Sequence, residues 1–240
     1  MQNSILLTLG LGFALGLKHA TEADHLAAVS TIVSERRSVL GAARVGALWG
    51  LGHTTSLFFA GLLVILLGIA IPKTVATALE LCVAMMIVTL GTRVLYLLSR
   101  RSHRIHVHTH SHDGQPHSHF HYHDNQDAHT AVHAHEGAHT GLSRWRTYIV
   151  GVLHGLAGSA ALTLLVLTEV MRNRSAVLGL SYLLIFGVGS IGGMLIMSCL
   201  IGIPFALSGR LPARLPDVMQ VFTAVSSVVF GLYYGWQIIS

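Results

Sequence analysis

Lys18-His19-Ala20-Thr21-Glu22-Ala23-Asp24-His25 interrupts an otherwise apolar run from Ile5 to Val33. Those eight residues hold two imidazoles, two carboxylates and an amine, a density that no other apolar stretch of the chain matches. In hydrocarbon each such group is costly unless paired or metal-bound, so the run reads as a divalent-metal site inside a membrane span. On a straight helix residues advance by about 100° each. His19, Glu22 and His25 then share one stripe with Lys18 beside them, and Asp24 falls on the far side. A site using His19, Asp24 and His25 together needs the helix to unwind or kink, as helices lining transporter cavities do. Both ligand sets stay open on sequence alone. The structural alternative is a buried network in which Lys18 pairs with Glu22 or Asp24.

Composition places that run in a membrane protein. The 240 residues are 52% hydrophobic and 10% charged, with a mean hydropathy of +0.62. Soluble domains carry about a quarter charged residues. Gly is frequent (25) and Pro scarce (5), as suits closely packed membrane helices. The formal charge of +5 sits between the apolar stretches, which points to topology and away from nucleic acid. Cys82 and Cys199 form no CxxC pair, leaving imidazole and carboxylate as the available ligands. The N-terminus lacks the basic region of a cleavable signal, so the first span is expected to remain in the mature chain.

Six stretches are long enough to span, near 4–33, 43–71, 75–98, 147–171, 176–207 and 217–239. Arg36, Arg37, Arg44, Arg93, Arg100, Arg101, Arg104, Arg144, Arg146, Arg210 and Arg214 fall on one side, against Lys73, Arg172 and Arg174 on the other. The positive-inside rule then puts both termini outside and the long third loop in the cytoplasm of a bacterial inner-membrane protein. The halves resemble each other weakly. Gly16-Leu17-Lys18-His19 matches Gly151-Val152-Leu153-His154, and Trp49-Gly50-Leu51-Gly52-His53 matches Phe186-Gly187-Val188-Gly189-Ser190. Glu80 precedes Gly91 by eleven residues, as Gln220 precedes Gly231. Three spans per half is an odd number, so the second half is inverted relative to the first. The expected fold is an all-α membrane protein of six transmembrane helices. Two inverted three-helix repeats, 1–98 and 147–240, are joined by a cytoplasmic His-rich loop over 99–146.

Thirteen of the seventeen histidines lie in that loop: His103, His106, His108, His110, His112, His117, His119, His121, His123, His129, His133, His135 and His139. With hardly any large apolar residues, 103–139 is expected to be disordered without metal. Its interchangeable ligand sets suit Zn, Ni, Co or Cu(II) and point to metal handling without naming the metal. Elsewhere, His53 follows Gly50 and Gly52, a context that permits close backbone approach. His154 sits in Leu-His-Gly-Leu-Ala-Gly-Ser and matches His19. Thr54, Ser159, Thr163 and Glu80 are candidate weak or supporting ligands, and Met85, Met86, Met194 and Met197 read as gap fillers between helices.

His19-Ala20-Thr21-Glu22-Ala23-Asp24-His25 resembles the His-x4-Asp-His signature of the nickel/cobalt transporter (NiCoT) family. Leu51-Gly52-His53-Thr54-Thr55 is similar to that family's second signature, Leu-Gly-His-Ser-Thr. The resemblance implies an intramembrane Ni²⁺/Co²⁺ site with ligands at His19, Asp24, His25 and His53. Lys18 and Glu22 stand where an Arg or His and an Asp are more usual. The chain is also shorter than eight-span members and closer in size to the urease-accessory-type permeases. A cytoplasmic His-rich loop resembles that of nickel/cobalt efflux proteins, which tend to lack the Asp-His pair.

The expected function is therefore non-ATPase transport of Ni²⁺ or Co²⁺, read as uptake with efflux as the alternative; no phosphate-binding Gly-x4-Gly-Lys-Ser/Thr loop is present. No cofactor is expected beyond the transported ion, and the expected partners are membrane lipid and cytoplasmic nickel chaperones of urease maturation. Ligation needs neutral histidine, so transport should weaken as pH falls through the histidine range. A metalloprotease would carry His-Glu-x-x-His where this chain has His-x-x-Glu-x-x-His. A metal sensor or store without flux is the remaining alternative.

Overall fold

The computed structural model describes residues 2–68, 71–102, 105–112, 115–122, 144–158, 175–208 and 215–240. In chain order they form helix α1 (Gln2–His19), α2 (Ala23–Ser34), α3 (Val39–Leu67) and α4 (Lys73–Ser102). The strands β1 (Ile105–His112) and β2 (Gln115–Tyr122) follow, then a helix α5 described over 144–158, α6 (Ala176–Leu207) and α7 (Leu215–Ile239). Among the described residues four helices, α3, α4, α6 and α7, are long and apolar enough to cross a membrane, and Leu6–His19 is a shorter apolar helix. Leu63, Leu66, Phe59, Val177, Phe222 and Trp236 lie exposed on their outer faces, a distribution that suits hydrocarbon and would be costly in water.

The first apolar run is two helices rather than one. At the end of α1 the bonds tighten to Thr21 N–H on Lys18 C=O (2.9 Å) and Glu22 N–H on His19 C=O (3.1 Å). The Thr21 hydroxyl donates to the same Lys18 carbonyl. Glu22 is extended (φ −65°, ψ 150°) and accepts from Leu26 N–H, which starts α2. The continuous span expected over 4–33 is corrected accordingly: local hydroxyl and three-residue bonds satisfy the freed carbonyls, so the helix can stop and restart inside the fold.

That short α2 is the centre of the molecule. Ala28, Val29, Thr31 and Val33 are fully buried, and α2 packs against α3, α4, α6 and α7. Around it, α1 and α3 lie on α6 while α4 lies on α7. These crossings are close because glycine permits them. A Cβ on Gly16 would strike Phe186 C=O, and one on Gly151 would strike Trp49 C=O. Gly189 rests on Phe13 C=O as Gly52 rests on Tyr148 C=O, and Gly91 meets Ala224 and Val228 as Gly231 meets Ala84 and Val88. The contacts come in pairs related by the register in which Gly16 matches Gly151, Gly52 matches Gly189 and Gly91 matches Gly231. Outside the crossings, Ser38 and Ser175 cap α3 and α6, and Gly68 ends α3 in the left-handed region (φ 64°).

Part of the His-rich segment departs from the expected disorder. β1 and β2 pair antiparallel, with His106 opposite His121, His108 opposite His119 and His110 opposite His117. Alternation of His with Val, Thr and Ser is a strand-like period, and Asp113-Gly114 between the strands is a favoured hairpin pair. The expectation is corrected over 105–112 and 115–122. His103, His123, His129, His133, His135 and His139 lie outside the described residues. Among the methionines, Met194 is fully buried in the core, whereas Met85 is exposed on α4.

Candidate metal centre

The four histidines outside the loop, from four different helices or helix ends, come together at the α1–α2 break. His19 closes α1, His25 opens α2, His53 comes from α3 and His154 from α5. The His19 ring lies 4.5 Å from His25 and 5.1 Å from His53 between centroids, and His25 lies 5.1 Å from His53 and 4.1 Å from His154. His25, His53 and His154 are buried. Close packing delivers them: Gly151 approaches the His53 backbone N, and Gly155 the His53 carbonyl, so α3 and α5 cross at the histidines.

Carboxylates set the orientation of three rings. His19 Nδ1 is 3.0 Å from Glu22 Oε2, and His25 Nδ1 is 2.9 Å from Asp24 Oδ1. His154 Nε2 is 2.8 Å from Asp24 Oδ2. An ionised carboxylate only accepts, so the nitrogen facing it carries the proton and the other nitrogen keeps its lone pair. His19 Nε2, His25 Nε2 and His154 Nδ1 are the nitrogens left in that way. His19 Nε2 lies 3.1 Å from His53 Nε2, while His25 Nε2, His154 Nδ1 and His53 Nδ1 are buried without a hydrogen-bond partner among the described residues. Buried polar atoms rarely remain unpartnered unless a site needs them. One nitrogen each of His19, His25 and His53 falls within 4.8 Å of the others, as do the ligand atoms of Asp24, His25 and His154. His25 belongs to both groups.

The break brings both candidate carboxylates, Glu22 and Asp24, against the histidines. Asp24 reaches the cluster because α2 restarts at a new angle. Glu22, half exposed, faces His19. Among the described residues neither carboxylate is ion-paired with Lys18, which lines a cavity of about 290 Å³ together with His19, Glu22, Asp24, Glu80, Tyr182, Phe186 and Tyr234. Three carboxylates against one ammonium make that cavity attractive to a cation. Trp49, with its ring 5.4 Å from both His25 and His154, and Phe186, 5.5 Å from His19, form apolar walls. Trp49 and Phe186 occupy matched positions in the two halves. That match is the signal by which sequence reading could have added them. Thr54 instead donates to Gly187 C=O at 3.2 Å and ties α3 to α6. Ser159 and Thr163 lie outside the described residues.

A family model described as NicO, high-affinity nickel-transport protein, matches residues 5–210. The chain belongs to this nickel-transport family. It is a nickel permease and not an enzyme, and the buried imidazole cluster is compatible with a soft-to-borderline divalent ion as its cargo. The urease accessory protein UreH of Bacillus sp. (strain TB-90) is 36% identical over 241 residues, 99% of this chain and 94% of that relative. No solved structure matches the chain.

Proposed function

We propose that this permease imports Ni²⁺, with Co²⁺ as a second cargo, through a site made by His19, His25 and His53. The observation that carries the reading is that the four histidines outside the loop, scattered over more than half the chain, converge on one broken helix. His19 Nε2, His25 Nε2 and a nitrogen of His53 supply three neutral imidazole ligands, a donor type that Ni²⁺ favours. Glu22 and Asp24 act behind them, holding His19 and His25 in the ligating tautomer and balancing the charge of the ion, as carboxylates behind metal-bound histidines do. His154 holds Asp24. Asp24, which the family resemblance placed among the ligands, takes an orienting role in this reading.

Six spans in two inverted repeats, 1–98 and 147–240, explain the paired glycine contacts between α1 and α6, α3 and α5, and α4 and α7. The arginine-rich ends then face the cytoplasm of the inner membrane, the termini face outward, and 99–146 is cytoplasmic. Its histidines would receive the ion and pass it to nickel chaperones serving urease maturation, a link suggested by the UreH relative.

The test is ⁶³Ni accumulation by metal-depleted cells carrying the wild type, His19→Ala, or a deletion of 103–139. Accumulation above background that is lost in His19→Ala supports import through this site, and its survival in the deletion makes the loop an accessory. Cells holding less nickel than the empty-vector control would make the protein an exporter. No change in either sense would favour a sensor or store.

A further inference from the structure

A second cavity, of about 540 Å³, opens at the arginine-rich end of the bundle and is lined by Thr31, Glu35, Leu90, Arg93, Val94 and Arg146 among others. Two helical faces join it to the histidine cavity. On α2 and just beyond it, Asp24, Ala28, Thr31 and Glu35 follow the spacing of one helix face, Asp24 in the first cavity and Thr31 and Glu35 in the second. On α4, Val83, Ile87, Leu90 and Val94 do the same, Val83 in the first cavity and Leu90 and Val94 in the second. The two helices pack against each other. Seven residues of helix separate Asp24 from Thr31, a rise of about 10 Å. Ala28, Val83 and Ile87 are fully buried in one cluster there, so a dry plug stands between the cavities. Past the plug, Glu35 on the α2 side and Arg93 on α4 are ion-paired at 2.8 Å.

We propose that the ion leaves the histidine cluster along this α2–α4 seam, past Ala28 and Ile87 and beside Thr31, and that the Glu35–Arg93 pair latches the seam shut. The inference rests on the transport reading and adds its second half, a release route. In the conformation described, the first cavity reaches the ligands and the second stops short of them. Parting α2 from α4 would join the two. It breaks the ion pair and replaces the plug with a passage that offers the freed Glu35 carboxylate to a partly hydrated divalent cation. The surrounding arginines disfavour a cation resting in the second cavity, which suits a place of release rather than storage.

The test uses the full chain in vesicles, with Cys82 and Cys199 replaced by Ala and a single cysteine at Thr31→Cys or, on the facing helix, Leu90→Cys. An anionic methanethiosulfonate applied from the arginine-rich face is expected to label both and to abolish ⁶³Ni flux, with Ni²⁺ slowing the labelling. Glu35→Arg is expected to impair flux while leaving Ni²⁺ binding intact, and Glu35→Arg with Arg93→Glu to restore it. Full flux after complete labelling at both positions overturns the route, as does failure of the charge swap to restore flux in a protein that still binds Ni²⁺. Absence of flux in the unmodified chain sinks the transport reading itself and the route with it.

Discussion

Asp24 holds two histidines at once, its Oδ1 2.9 Å from His25 Nδ1 and its Oδ2 2.8 Å from His154 Nε2. One side chain thereby couples the first half of the chain to the second across 130 residues. It also sets which nitrogen of each ring is free.

Asp24→Asn should retain the fold but weaken nickel binding. The amide nitrogen donates where a carboxylate oxygen accepted, so one of the two rings must change tautomer or turn away. Loss of such a supporting partner costs about 10- to 100-fold in metal affinity. Titration of the purified protein with Ni²⁺, beside a thermal melt, separates the two effects; unaltered affinity would remove Asp24 from the site.

His154→Ala should be milder than His25→Ala or His53→Ala, because it loosens Asp24 and leaves the three proposed ligands in place. His154→Gln, whose amide N–H can still reach Asp24, should recover part of the loss. Half-saturation of ⁶³Ni flux across the four variants gives the order. Equal collapse of His154→Ala and His25→Ala would make His154 a ligand.

Gly16→Ala and Gly151→Ala should both destabilise the bundle, since each new Cβ meets a facing backbone carbonyl that cannot move alone. Overpacking of this kind costs about 1–3 kcal/mol. Gly10→Ala, with nothing within 4 Å of the added atom, should be neutral or stabilising. Melting temperatures in one detergent decide it, and equal behaviour of the three variants would deny the close crossings.

Glu80→Gln should lower flux at low nickel concentration by a few-fold and leave the maximal rate unchanged, because Glu80 lines the approach without touching the histidines. The difference should shrink as ionic strength rises and screens the cavity. A salt-independent defect would point to a direct role in binding instead.

The central motif was readable because its cost is local. Ionisable groups in an apolar run need partners whatever the fold, so His19, Asp24 and His25 stand out as candidates, and glycine before His53 announces a close approach. The spans of α3, α4, α6 and α7 were legible for the same reason, from length and hydropathy. The break at Ala20–Glu22 was less so, since it contains neither glycine nor proline. It depends on the Thr21 hydroxyl and on what packs around α2. The β1–β2 pairing was missed because composition alone suggested disorder, although the alternation of His with Val, Thr and Ser was present.

The sequence by itself determined that this is a membrane protein with a cluster of ionisable groups in its first apolar run, because hydrocarbon penalises each unpaired charge wherever it falls. Only the tertiary structure decided that His154 belongs beside Asp24, that Thr54 serves a helix crossing, and that Glu35 meets Arg93. Those pairings depend on how α2 meets α4 and α5 and how α3 meets α6, and contacts between residues 58, 130 or 133 positions apart leave no trace in local spacing.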